Sequence, residues 1–178
     1  MTTTAVPAPM FDCIGGADVK NPQIARAQLG SCILAAGYVD GRYAWTPDQW
    51  ALFPQVNRVR ISVIPGSPEA LSAHVADSER GAYTAQQAAE WAHEKHARAE
   101  WPTIYVSRSA IPGIREATGA LILGRDYDIW CADWTGAPHE VISPGPGITA
   151  LCAATQYAAN VHGVWDISAR YDSRWPQS

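Results

Sequence analysis

Short apolar segments alternate with helix-start signals over residues 10–120, and this alternation most constrains what the chain can fold into. Apolar runs of strand length occur at 10–14, 32–39, 58–64, 72–77 and 103–107. Strands alternating with helices indicate parallel pairing, and more than five such strands in one layer commonly close into a barrel. The first two thirds of the chain therefore predict an α/β architecture.

Three segments carry helix-start signals. Asn21-Pro22 places a capping residue and a proline before a helix that Gly30 would end. Thr46 and Thr84 each precede a glutamine three positions later, which is the spacing of a capping box. The helix after Thr84 is predicted to be the longest and to end before Pro102. Its packing face is predicted to consist of Ala88, Trp91, Ala92 and Lys95.

The rhythm changes after residue 120. Strand-like runs continue at 128–134, 150–158 and 164–168, but the segments between them are too rich in proline and glycine for helices. The link at 65–70 is also too short for a crossover helix, and 178 residues are few for an ordinary barrel of about 250. We predict a small irregular (β/α) TIM-like barrel whose last strands are joined by loops, with residues 1–9 as a tail and 10–178 as a single domain.

Composition excludes several kinds of partner. The net charge is −4 and the 13 Lys and Arg residues are scattered, so no basic stripe is present to bind nucleic acid. No run approaches the ~20 apolar residues of a membrane span, and the N-terminus lacks the pattern of a signal peptide. The four cysteines lie far apart within apolar surroundings, which favours buried free thiols over a disulfide framework.

Two carboxylates follow the fourth predicted strand in Ala76-Asp77-Ser78-Glu79. Strand residues two apart project to the same face, about 7 Å apart at the backbone, so Asp77 and Glu79 would share one space. Like charges held close raise the pKa of one group, which lets a carboxyl act as a general acid near neutral pH, as glycosidic cleavage requires. The alternative is structural: Asp77 caps a turn and Glu79 pairs with Arg80 or another surface cation.

Other strand-end acids strengthen the catalytic hypothesis. Asp12 lies in the first strand, Asp40 follows the second, and Asp166 lies in the last. The carboxyl ends of parallel strands meet at one mouth of a barrel, so these acids would converge there. The chain also has eight Trp and seven Tyr but two Phe, and sugar rings stack on such aromatic surfaces.

Other chemistries are poorly supported. His93 and His96 occur as HEKH, which lacks the zinc-binding spacing HExxH, and no GxSxG nucleophile motif is present. Cys13 lies in an apolar strand that would not activate its thiol. We expect neither a metal nor a cofactor.

The order of these motifs resembles that of glycoside hydrolase family 25, the Chalaropsis-type lysozymes, and of related lysozyme-like domains of actinobacteria and their phages. The matching segments are FDC, VADSERG, PTIYVS, DIWCADW and ATQYAANVHGVWDIS. The resemblance implies a peptidoglycan muramidase that cleaves the β-1,4 bond after N-acetylmuramic acid. It also implies a barrel whose last strands lack helices.

The resemblance implies roles for individual residues. Glu79 would be the general acid, Asp77 would polarise the N-acetyl group or stabilise the developing cation, and Asp12 and Asp166 would hold the sugar and tune Glu79. The residues expected to contact the glycan are Tyr38, Asp40, Tyr105, Trp130, Asp133 and Gln156.

The sequence is also compatible with two other functions. One is a non-catalytic domain of this fold that binds glycan or other subunits of a virion or cell surface, and the other is a peptidase or amidase. For the muramidase we expect synthesis in the cytoplasm and action at the bacterial cell wall, delivered by a holin or a virion.

Overall fold

The computed structural model describes residues 8–12, 34–53, 58–79, 81–142, 151–161, 165–171 and 175. For 8–12, 159–161, 165 and 167 it describes the backbone alone. The first predicted helix, at 21–30, lies outside the described residues.

In the part of the chain that the structure describes, eight strands form one closed barrel in chain order. The strands are β1 (Ala8–Asp12), β2 (Leu34–Tyr38), β3 (Arg58–Ser62), β4 (Val75–Asp77), β5 (Thr103–Ser107), β6 (Asp128–Ala132), β7 (Ala154–Val161) and β8 (Trp165–Arg170). Neighbouring strands from β1 to β7 are parallel, whereas β8 is antiparallel to both β7 and β1. The prediction of a mixed α/β fold with a curled, mostly parallel sheet is confirmed.

Helices in the described residues are α1 (Pro47–Ala51), α2 (Ala85–Ala97) and α3 (Ile111–Thr118). Both predicted capping boxes are present, Thr46 with Gln49 and Thr84 with Gln87. The predicted packing face of α2 is buried as expected, and the helix ends before Pro102. Sequence reasoning did not predict α3.

Proline and glycine predicted that two connections are loops and not helices, and the described residues of both connections contain no α-helix. Between β3 and β4 the only helical element is a 3-10 turn, Ala70–Ser72. In the described parts of the β6–β7 connection, 133–142 and 151–153, no helix occurs. No described helix is long and apolar enough to span a membrane.

The two faces of the sheet bury different clusters. Alternate strand residues such as Val59, Ile61 and Trp130 fill the barrel interior, together with Trp175 from the C-terminal segment. Residues of the opposite parity, Ile104 among them, pack outward against α2 and α3. Because side chains alternate along a strand, the interior positions at the carboxyl ends face the barrel mouth.

Two of the four cysteines lie in the described residues. Cys131 and Cys152 are buried and free, which confirms the prediction of free thiols for these two. Cys13 and Cys32 lie outside the described residues.

Candidate active site

A cleft of about 650 Å³ opens where β4, β5 and β6 end. Its lining combines an acid from the β4 end with residues that follow β5 and β6. The residues that matter for its chemistry are Glu79, Ser107, Arg108, Asp133 and Trp134. The carboxyl ends of the parallel strands thus form an open mouth, as the barrel topology predicts.

Asp77 is the last residue of β4 and is 8% exposed. Its Oδ1 accepts a hydrogen bond from the Glu79 backbone N–H at 2.9 Å, so a turn begins at this carboxylate. The expected strand spacing of Asp77 and Glu79 is therefore wrong, since β4 ends before Glu79. Burial, and secondarily the Glu79 charge, raise the pKa of Asp77 to about 7, although the hydrogen bond from the Glu79 backbone opposes the shift.

Glu79 lies half-buried in the cleft wall. Within the described part of the chain its carboxylate has no hydrogen bond and no ion pair; Arg80, the partner that the structural alternative named, lies outside the described residues. The other half of that alternative, a turn capped by Asp77, is present. Burial raises the pKa of Glu79, and the negative charge of Asp166 raises it further. A carboxyl in this setting holds its proton at a higher pH than an exposed glutamate.

Asp166 belongs to β8, which closes the barrel next to β1. Gln156 Nε2 donates to Asp166 Oδ2 at 3.5 Å. At the backbone, Asp166 pairs directly with Asp12, which in turn pairs with Ala36 of β2. Asp77, Glu79 and Asp166 therefore meet at one mouth, and the backbone of Asp12 lies beside them; its side chain lies outside the described residues.

Four of the six predicted glycan contacts are buried, namely Asp40, Tyr105, Trp130 and Gln156. Trp130 is fully buried, and its Nε1 donates to Ser168 Oγ at 3.0 Å, so the expectation of glycan contact is wrong for this residue. Gln156 is 1% exposed, and its Oε1 accepts from Tyr105 Oη at 2.6 Å and from Trp134 Nε1 at 2.8 Å. Tyr105 and Gln156 thus support the cleft from beneath instead of lining it.

Asp40 serves a structural role in place of the predicted glycan contact. Its carboxylate is buried and accepts from the Ser62 and Ser67 hydroxyls, both at 2.6 Å, and from the Val63 backbone N–H at 2.7 Å. These bonds fix the loop after β3. A carboxylate that is satisfied inside the protein has little capacity left for a ligand.

For Tyr38 and Asp133, contact with the glycan stays a prediction. Tyr38 is half-buried at the end of β2 and packs near Tyr43. Asp133 lines the cleft and accepts from Arg108 Nη1 at 2.8 Å and from His139 Nε2 at 3.0 Å.

Sequence reasoning missed Arg108, which lines the cleft, and His139, which contacts Asp133 in the cleft wall. Arg108 follows β5 directly, so the same strand-end argument that selected the acids would have selected it. His139 carried no such signal, because it lies in the loop after β6 and reaches Asp133 only through the fold.

Comparisons with known proteins bear on the fold alone. No known family model matches the chain, and no curated protein matches it. A solved structure described as the crystal structure of an uncharacterized B. stearothermophilus protein matches with a TM-score of 0.50 and 11% identity. The alignment covers 94% of this chain and 97% of that one, so the likeness extends over almost the whole fold.

Proposed function

We propose that this protein is a peptidoglycan muramidase with a barrel of the family 25 lysozyme type. The observation that carries the proposal is the half-buried Glu79 carboxylate, unpaired among the described residues, in the wall of an open cleft beside Asp166. A structural acid would be paired or fully solvated. An acid held in a cleft with a raised pKa is what protonation of a glycosidic oxygen requires.

In the proposed reaction Glu79 is protonated when the glycan binds. Its proton moves to the oxygen of the β-1,4 bond as the bond from that oxygen to the anomeric carbon breaks. Positive charge then develops on the ring, and the Asp166 carboxylate stabilises it. A water molecule adds to the anomeric carbon and returns a proton to Glu79, which completes hydrolysis with atoms in balance.

Asp77 contributes through its raised pKa. Because burial raises the pKa of Asp77 to about 7, both its protonated and its ionised forms are accessible near neutral pH. We assign Asp77 the substrate's N-acetyl group: the protonated form donates to its carbonyl oxygen, and the ionised form accepts from its N–H. The Glu79 backbone N–H fixes the orientation of Asp77 for this contact.

The test is release of new reducing ends from purified actinobacterial peptidoglycan. We expect Glu79→Gln to lower the rate by about 10²–10⁴-fold, the usual contribution of a general acid. The matched control is Glu69→Gln, because Glu69 is an exposed glutamate outside the cleft. Circular dichroism of both variants verifies that they fold.

Other outcomes distinguish the alternative functions. Equal release by the parent and Glu79→Gln would exclude Glu79 as the acid. Retention on the wall without new reducing ends would favour a non-catalytic domain that binds glycan at the cell surface or in a virion. New amino groups in place of reducing ends would indicate a peptidase or amidase.

A further inference from the structure

Arg108 is the only cationic side chain among the described residues that line the cleft. Its side chain is 58% exposed, and Nη1 donates to Asp133 Oδ2 at 2.8 Å. The described residues offer its guanidinium no other hydrogen bond. Since a guanidinium carries five N–H donors, most of them remain available to a ligand in the cleft.

Neighbouring groups fix Arg108 in place. The carboxylate of Asp133 accepts from both Arg108 and His139. Hydrogen bonds from His139 and Arg108 lower the pKa of Asp133, so this carboxylate is ionised at neutral pH. The Ala137 carbonyl and Asp133 raise the pKa of His139. When His139 is protonated, Arg108, Asp133 and His139 together carry a net positive charge beside the cleft.

Trp134 supplies a flat apolar surface beside this charge. The residue is 60% exposed although it is a large hydrophobic side chain. Its Nε1 donates to the buried Gln156 Oε1 at 2.8 Å, which anchors one edge of the indole. An exposed indole that is held by one edge is suited to stacking on the C–H face of a sugar ring.

We propose that Arg108 and Trp134 form a subsite for a sugar residue that carries a carboxylate. Trp134 stacks on the ring, and Arg108 binds the carboxylate of its substituent. This inference rests on the proposed function, because it takes a cell-wall glycan as the ligand. The carboxylate has two sources, the free lactyl group of muramic acid in peptide-free glycan or the stem peptide in peptide-bearing glycan. Neutral chitin oligosaccharides have neither.

Electrostatics makes Arg108 the residue that determines specificity. The cleft contains the ionised Asp133, and the whole chain has a net charge of −4, so an anionic ligand is repelled unless a cation compensates. A neutral sugar needs no such compensation. Removing Arg108 should therefore affect carboxylated ligands selectively, whereas removing the Trp134 ring should weaken all of them.

The experiment measures binding, so that it does not depend on turnover. Titration calorimetry on the Glu79→Gln protein uses three probes: a chitin tetrasaccharide, a peptide-free muramic acid glycan and a peptide-bearing muropeptide. We expect one or both carboxylated probes to bind about five- to tenfold more tightly than chitin. Adding Arg108→Gln should abolish that preference and leave chitin binding unchanged, while Trp134→Ala should weaken all three probes.

The matched control is Arg98→Gln, because Arg98 is a similarly exposed arginine paired with a carboxylate, Glu100, away from the cleft. It should retain the preference. Equal binding of all probes, no binding of any probe, or a preference that survives Arg108→Gln would overturn the inference. Loss of the preference in Arg108→Gln without any hydrolysis by the parent would support the subsite and contradict the muramidase. The probe that loses affinity identifies the source of the carboxylate.

Discussion

The two ends of the barrel treat their polar groups differently. At the cleft end, the Glu79 carboxylate lies half-buried with no partner among the described residues. At the opposite end, the closed end of the barrel, two tryptophans are paired: Trp175 Nε1 donates to Thr103 Oγ1 at 2.6 Å, and Trp101 Nε1 donates to Asp128 Oδ2 at 2.9 Å. Pairing is not complete elsewhere, since Thr155 Oγ1 and Tyr171 Oη are buried without a hydrogen-bond partner among the described residues. Glu79 differs from both because its unpaired carboxylate belongs to a residue that lines an open cleft, where a ligand can reach it.

Burial also shifts the pKa of one side chain at each end of the barrel, and the two shifts have opposite directions. At the mouth it raises the pKa of Asp77 to about 7 and so favours the protonated, neutral acid. At the closed end it lowers the pKa of His74 to about 4, and the nearby charges of Arg60 and Lys95 lower it as well. His74 is therefore neutral at physiological pH, and its Nδ1 accepts from the Arg60 backbone N–H at 3.3 Å.

The largest effect on stability is expected at the closed end. Trp175 is 1% exposed and packs against Trp130, with ring centroids 5.8 Å apart. Trp175→Ala would open a large cavity and leave the Thr103 hydroxyl without its partner, lowering the free energy of unfolding by about 3–5 kcal/mol. Urea denaturation measures this. Trp134→Ala, which removes an exposed tryptophan at the mouth, is the control and should cost less than about 0.5 kcal/mol. Similar losses in both variants would contradict the comparison.

The pH dependence of stability should differ in sign between the ends. The raised pKa of Asp77 means that its contribution is present below pH 4 and is lost as pH rises to about 7. The lowered pKa of His74 means that its contribution is present above about pH 6.5 and is lost as pH falls to about 4. At about 1.4 kcal/mol per pKa unit, the opposing changes are at most about 4 and about 3 kcal/mol.

Two variants separate these slopes. Relative to the parent, Asp77→Asn should make the free energy of unfolding rise more steeply between pH 4 and 7. His74→Asn, whose amide oxygen can replace Nδ1 as an acceptor, should make it fall over the same range. Denaturant titrations at several pH values measure both slopes. If neither variant changes the slope, the two groups are solvated in the folded protein.

Two carboxylates at the cleft end provide a third test. Asp40 accepts several hydrogen bonds, so Asp40→Ala should leave buried donors unpaired and cost about 3 kcal/mol. Glu79 has no partner among the described residues, so Glu79→Gln should leave stability unchanged or raise it by less than about 1 kcal/mol. Thermal denaturation at pH 7 compares the two. A loss in Glu79→Gln as large as in Asp40→Ala would give Glu79 a structural role.

The barrel strands could be predicted because a strand that is buried on both faces appears in the sequence as a short apolar run, which is a local signal. All eight predicted runs overlap observed strands, and Thr46 and Thr84 begin helices through their capping boxes. Helix α3 escaped prediction because it follows a 3-10 turn and has no side-chain cap at its start. Periodicity and capping are local signals, whereas α3 is held by packing of Ile111 and Ile114 against the outer cluster.

The candidate site was harder to predict because burial depends on the whole fold. The carboxyl ends of parallel strands selected Asp77 and Glu79, whose charges interact in the structure. Asp166 was selected by the same rule, but it reaches the mouth because it lies at the start of the antiparallel β8, and its charge acts on Glu79. The same rule also selected Asp40, and nothing local distinguishes a carboxylate that four donors satisfy from one that has no partner among the described residues. Aromatic residues are equally hard to assign from the sequence. A strand tryptophan is as suited to a core as to a cleft, and Trp130 lies in the core.

The smallest effect on stability is expected for Arg108→Gln. Arg108 is more than half exposed, and its ion pair with Asp133 is screened by solvent, so the free energy of unfolding should change by less than about 0.5 kcal/mol. Guanidinium chloride would screen the pair, so urea denaturation is the better measurement. A small change in stability together with a lost preference for carboxylated glycan would mean that Arg108 is retained at the mouth for binding. A loss above about 2 kcal/mol would instead make the pair a structural clamp and reduce the contrast between the two ends of the barrel.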